Sequence, residues 1–187
     1  MSQKKPQDTL NYYFIGIGGI GMSALARYFL KKNHHVGGYD KVSTKLTKSL
    51  KEEGCWLHYN DDIGELPEVF LEKKSTVVIY TPAVSDLHKE LTYFKENGYR
   101  VLKRAEVLGD VTQFSKGLCV AGTHGKTTTS TLLAHILNHS SWKCNAFLGG
   151  ISSNYNSNYI YDDKSEYTVI EADEYDRSFL SLKPFSS

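Results

Sequence analysis

YYFIGIGGIGMSALARYFL, residues 12–30, passes from one structural period to another across a run of glycines. Residues 12–16 form a short apolar run of β-favouring side chains. From 22 to 30 the apolar residues recur at helical spacing. Between the two lies Gly16-Ile17-Gly18-Gly19-Ile20-Gly21, a G-x-G-x-x-G with its glycines at 16, 18 and 21. Such a turn lets the backbone approach a diphosphate, whose charge then sits at the positive N-terminus of the helix. The next short strand, HHVGGYD, ends at Asp40, 19 residues beyond Gly21. A carboxylate there can accept hydrogen bonds from ribose hydroxyls. The competing reading is that the glycines serve only close helix–sheet packing. Nothing in the loop separates NAD from another nucleotide diphosphate.

Outward from this segment the pattern repeats. Residues 43–53 read as a helix closed by Gly54, and 76–80 (TVVIY) are almost continuously apolar, as a strand buried on both faces should be. A helix over 86–97 stops at Gly98, YRVL (99–102) is a strand, and 105–111 a short helix. Alternating strands and helices predict a parallel, doubly wound sheet. The pattern restarts with a strand at 117–122 and a helix at 126–138, after a polar link at 113–116. The Ser-, Asn- and Tyr-rich stretch 152–163 reads as a loop or mobile hairpin, and 167–173 (YTVIEAD) as a buried strand. The fold class is therefore α/β. A Rossmann-like parallel-sheet domain over 1–114 is followed, over 115–187, by the start of a P-loop ATPase-type α/β domain. The strands that should flank 167–173 are expected to be missing, so the chain reads as a fragment.

Composition narrows the function. The 187 residues carry 22 Lys+Arg against 21 Asp+Glu, a net charge of +1, which speaks against a dedicated nucleic-acid binder. No apolar run approaches the length of a membrane span, and the polar MSQKKPQDTL start is not that of a signal peptide. The three cysteines form no C-x-x-C, so a disulfide framework or metal cluster is not expected, and a cytoplasmic location fits.

Two further motifs carry chemistry. Gly122-Thr123-His124-Gly125-Lys126-Thr127-Thr128 lies between a strand and a helix. Its backbone N–H groups can cradle phosphates, Lys126 can reach the β- and γ-phosphates of ATP, and the Thr127 hydroxyl can bind Mg²⁺. Position 120 is Val where the usual phosphate loop begins with Gly, and a Gly-rich turn with a solvated lysine is the alternative. In Glu171-Ala172-Asp173-Glu174-Tyr175-Asp176, four carboxylates follow an apolar strand and would repel each other without a cation or donors. In a phosphate-loop domain an acidic residue there commonly completes Mg²⁺ coordination, whereas by itself such a run reads as a solvated loop. Thr81-Pro82-Ala83-Val84-Ser85 follows the strongest strand, and Arg104 can pair with a phosphate or with Glu106. The histidines other than His124 show no ligand spacing.

The pairing of GIGGIGMS with GTHGKTTT, about 100 residues apart, resembles the Mur ligases of peptidoglycan synthesis. TPAVS (81–85), RAE (104–106), LGGIS (148–152) and EADEYDRSFL (171–180) carry the resemblance further, in the family's order. Within that family it is similar to the branch that joins L-alanine to UDP-N-acetylmuramate. The resemblance implies that ATP phosphorylates the sugar's carboxylate and that the amine of L-alanine attacks the acyl phosphate. The first domain would then bind the UDP-sugar rather than NAD. Gly16, Gly18, Gly19, Ile20, Gly21, Met22 and Ser23 would hold the diphosphate, with Asp40, Thr81, Pro82, Ala83 and Ser85 near the nucleoside. Arg104, Asp173 and Glu174 are further substrate-side residues. Lys126, Thr127 and His124 are the expected catalytic residues, and Thr127 with Glu171 the expected Mg²⁺ ligands. The family's C-terminal ligase domain is absent from the 187 residues, so this stretch alone is expected to be inactive. A nicotinamide oxidoreductase and a non-catalytic nucleotide-binding module remain the alternatives.

Overall fold

A computed structural model describes residues 9–113 and 115–172. Five parallel strands, β1 (Asn11–Ile15), β2 (His35–Tyr39), β3 (Trp56–His58), β4 (Thr76–Tyr80) and β5 (Arg100–Lys103), form one sheet in the order β3-β2-β1-β4-β5. The connecting helices are α1 (Ile20–Lys31), α2 (Lys45–Glu52), α3 (Glu68–Leu71), α4 (Lys89–Glu96) and α5 (Arg104–Gln113). The central strand β1 is buried on both faces because its side chains alternate between two apolar clusters. Phe14 joins Leu25, Val77 and Ile79 on one face, while Tyr13 and Ile15 join Phe70, Val78, Leu91 and Phe94 on the other. The doubly wound parallel sheet expected for the first half is therefore present.

The second sheet contains β6 (Lys116–Val120), β7 (Asn145–Ser152), β8 (Ser157–Ile160) and β9 (Tyr167–Glu171), in the order β6-β9-β7-β8, with α6 (Lys126–Asn138) after β6. Here one expectation is corrected. β9 pairs in parallel with β6 on one side and β7 on the other, so its flanking strands are present and, among the described residues, the sheet edges are β6 and β8. Of the two readings of 152–163, loop or hairpin, the structure has the hairpin: β8 is antiparallel to β7, with a register shift between Phe147 and Ser152. The sequence reading also passed over β3, with only three residues, and β7, whose two glycines interrupt the strand pattern.

Helix α1 is shared between the sheets. Met22 to Arg27 are all buried, as is Phe29, which leaves almost no solvent face on its central turns. A helix buried all round must be packed from both sides. The first sheet lies on one side, and β7 and β8 lie on the other. Alternation in β7 produces this: Ala146 and Leu148 pack in the cluster toward α6, whereas Phe147, with Tyr159 and Ile170, joins the cluster of Phe14 and Leu25. The Tyr28 ring lies 5.8 Å from that of Phe147 and 6.1 Å from that of Tyr159. One apolar core thus runs from the first sheet into the second.

Candidate functional site

The glycine loop leaves β1 at the carboxyl edge of the sheet, where β2 and β4 diverge from it and open α/β sheets bind ligands. Asp40 turns back onto this loop: its Oδ2 accepts from Gly18 N at 2.7 Å and its Oδ1 from Val42 N at 3.2 Å. The carboxylate that the sequence reading aimed at a ribose thus fixes the loop itself, leaving its remaining lone pairs for a ligand. Gly18 is required by close approach, since a Cβ would lie 2.7 Å from Asp40 Oδ2 and 2.8 Å from Thr47 Cγ2. Thr81 and Val84 border Gly16, so the 81–85 turn stands beside the glycine loop as expected, with Pro82, Ala83 and Ser85 exposed. Gly19 and Ile20 are exposed at the loop's tip. Met22 and Ser23 differ from the rest of the set. The Met22 side chain is in the core, and the buried Ser23 hydroxyl donates to Ile20 O at 2.9 Å, so neither side chain faces the loop's outer surface.

Beneath the loop is a buried polar cluster. Asp40 N donates to His58 O at 3.2 Å, and Tyr39 packs against both His58 and His88. Tyr13 donates to Glu90 Oε2 at 2.6 Å, so its oxygen accepts from His58 Nε2 at 2.7 Å. His58 Nδ1 faces Glu65 Oε2 at 3.2 Å, and Glu90 Oε1 lies 3.1 Å from Nε2 as an ion-pair contact. Both ring nitrogens face acceptors, which calls for the doubly protonated imidazolium. Burial alone would lower the His58 pKa, but hydrogen bonds and charge from Glu90 and Glu65 outweigh it and raise it above the ordinary value. The cation offsets the wholly buried Glu90 carboxylate.

The second loop is built at the start of α6. Gly125, with φ of 78°, ends the turn and gives the helix no side-chain cap. The N–H groups of the first turn therefore lack intrahelical partners and suit an anion. Gly122, Thr123, His124, Gly125 and Thr128 are exposed, and Lys126 Nζ donates back to Gly122 O at 2.8 Å. The Thr127 hydroxyl lies 2.9 and 3.0 Å from the two carboxylate oxygens of Glu171, at the end of β9. Gly149 N donates to Glu171 Oε2 at 2.8 Å, and a Cβ on Gly149 would collide with that oxygen. Gly149 is the residue of this site that the sequence reading missed. Its signals are a glycine pair inside a strand, a mark of close approach, and its place in the LGGIS segment of the family resemblance.

A crevice of about 60 Å³ lies between the end of the glycine loop and the Gly149–Glu171 contact, lined by Ile20, Gly21, Arg104, Phe147, Gly149 and Glu171. Arg104 lies over Gly21, where its Nη1 would be 2.9 Å from an added Cβ, and Glu106 Oε2 accepts from Lys103 N at 2.6 Å. Among the described residues no group of three or more His, Cys, Asp or Glu is arranged for a metal. Thr127 and Glu171 nevertheless fit Mg²⁺, which favours oxygen donors and commonly takes one or two from the protein with substrate phosphates and waters filling the rest. Asp173 and Glu174 lie outside the described residues. No helix is long and apolar enough to cross a membrane among those residues.

Comparison with known proteins matches residues 11–116 to the Mur ligase family, catalytic domain. A UDP-N-acetylmuramate--L-alanine ligase of Porphyromonas gingivalis is 60% identical over 173 residues, covering 92% of this chain and 38% of that protein. The ligase of the same name from Phocaeicola vulgatus is 59% identical over 175 residues, covering 94% and 38%. Among solved structures, the UDP-N-acetylmuramate-alanine ligase of Thermotoga maritima superposes with a TM-score of 0.83 at 29% identity, over 94% of this chain and 40% of that one. The UDP-N-acetylmuramate:L-alanyl-gamma-D-glutamyl-meso-diaminopimelate ligase of Neisseria meningitides gives the same TM-score at 26% identity, over 94% and 58%. The chain spans about 38% of the length of the curated relatives.

Proposed function

The chain belongs to the Mur ligase family, and from that premise we propose that it is the UDP-sugar- and ATP-binding part of a UDP-N-acetylmuramate--L-alanine ligase acting in the cytoplasm. The reading assigns residues 1–114 to the UDP-sugar and 115–187 to the start of the ATP unit. The observation that carries it is the Thr127–Glu171 pair at the uncapped start of α6, whose Glu171 shares one crevice with Gly21 of the glycine loop and Arg104. A dehydrogenase has no use for that second loop.

In this reading the partnerless N–H groups of the first turn of α1, from Ile20 on, bind the sugar nucleotide's diphosphate, while the N–H groups of Gly16 to Gly19 and the Asp40 carboxylate keep the loop in shape for it. The turn at 81–85 borders the nucleoside. Thr123 to Thr128 wrap the phosphates of ATP, which supplies the phosphoryl group that activates the sugar's carboxylate. Lys126 leaves the Gly122 carbonyl to neutralise charge growing on the transferring group, work that is almost entirely positional and electrostatic. Thr127 and Glu171 would hold Mg²⁺, with Gly149 N–H orienting the carboxylate. Arg104, beside Gly21, orients the substrate end that must reach the second loop. Attack of the L-alanine amine on the resulting acyl phosphate forms the amide and breaks the acyl C–O bond, releasing inorganic phosphate.

Parallel calorimetric titrations with UDP-N-acetylmuramate, Mg·ATP and NADH test this. Binding of the first two and not the third is expected. NADH binding without UDP-N-acetylmuramate binding would overturn the reading.

A further inference from the structure

The joint between the two loop-bearing halves contains one fully paired polar constellation that neither loop requires. Asn158, at the centre of β8, is wholly buried. Its amide Nδ2 donates to Ile20 O at 2.5 Å and to Ser23 Oγ at 2.9 Å, both in the first turn of α1 behind the glycine loop. Its Oδ1 accepts from Arg27 Nη1. Arg27, 4% exposed, is held in turn by Glu53 through Nε at 3.0 and 2.9 Å and Nη2 at 2.6 Å, and by Ser49 Oγ at 3.2 Å. Every hydrogen-bonding atom of the Asn158 side chain is used, across separations of more than 130 residues.

The surroundings explain what this adds. Tyr28, Phe147 and Tyr159 form an aromatic patch at the same joint, and apolar packing of this kind is non-directional. A buried, fully satisfied polar network admits one register, because a shift leaves costly unpaired groups. On the far side, β8 pairs with β7, which carries Gly149 and through it Glu171 and Thr127. The strand that carries Asn158 thus ties the glycine-loop end of α1 to β7, the strand whose Gly149 holds Glu171 beside the start of α6.

We propose that Asn158, together with Arg27, is a positioning residue that fixes the register between the two loops and so the spacing of the two bound substrates. The meaning of that spacing for ligation rests on the function proposed above, whereas the joint itself does not.

The test uses the whole chain with Cys119→Ala, and nitroxide labels on cysteines introduced at the exposed positions Lys48 of α2 and Ile136 of α6. Pulsed electron spin resonance should give one narrow distance peak in the parent. Asn158→Asp keeps the side-chain shape and the Arg27 contact but sets an acceptor against the Ile20 carbonyl. Loss of the single narrow peak, with helical and strand content retained, is expected. A variant that merely loses stability would melt earlier while its folded molecules kept the narrow peak, and that result would overturn the proposal. Arg27→Lys, which leaves a cation for Glu53 but cannot also reach Asn158, gives the same reading if the first variant does not fold. UDP-N-acetylmuramate and Mg·ATP are titrated into the parent separately. Failure of both to bind would refute the functional reading while the distance measurement still judged the joint.

Discussion

Adding one methyl group at Gly149 should damage the second site through a single neighbour. The three heavy atoms nearest the new Cβ would all come from Glu171: Oε2 closest, then Cδ at 2.6 Å and Oε1 at 2.8 Å. Ordinary contact requires the carboxylate to retreat by about 1 Å. That retreat stretches the 2.8 Å bond from Gly149 N and pulls Glu171 off the Thr127 hydroxyl. Overpacking costs about 1–3 kcal/mol. The loss of a hydrogen bond to a charged acceptor adds about 1 kcal/mol here, the low end because Glu171 is half-buried. Replacing a strand glycine by alanine returns about 0.5–1 kcal/mol. Gly149→Ala should therefore lose about 2 kcal/mol in urea unfolding followed by circular dichroism and fluorescence. The same change in a Glu171→Ala background should be neutral or slightly stabilising, because the clashing side chain is gone. An equal loss in both backgrounds would refute the reasoning, since the cost would then lie in β7 itself.

Gly18→Val should abolish UDP-N-acetylmuramate binding in calorimetry, because its Cβ meets Asp40 and Thr47 and opens the Asp40–Gly18 bond; retained affinity would remove the loop from the site. Lys126→Ala should weaken Mg·ATP binding tenfold or more, about 1.4 kcal/mol, and leave UDP-N-acetylmuramate affinity unchanged; an unaltered Mg·ATP titration would sink the assignment. The raised His58 pKa means that its contribution to stability is complete below the unfolded value near 6.5 and is lost as pH rises through the folded value. Denaturant midpoints should therefore fall above about pH 6.5, and His58→Gln should flatten that slope; an unchanged slope would show that the buried cluster does not titrate there.

Much of this protein was fixed by local pattern. The period change across residues 12–30 and the continuous apolar run of TVVIY specify β1, α1 and β4, because buried parallel strands and glycine turns leave a signal within a few residues. Lys126 to Asn138 forms α6 over the range expected from its spacing, and the two phosphate loops stand at strand–helix junctions as read. Elements with too short a signal, such as the three residues of β3, or with glycines serving another purpose, such as β7, were not legible. Pairing is non-local, so only the folded chain decided that β9 lies between β6 and β7. The same holds for the site. The sequence reading paired Thr127 with Glu171 as magnesium ligands, but the hydrogen bonds that join them across 44 residues, the Gly149 N–H on the same carboxylate, and the bracing of Gly18 by Asp40 are products of tertiary packing. Asn158 looked like part of a polar loop, since a buried amide and a solvated one are the same letter until the groups that complete its hydrogen bonds are brought to it.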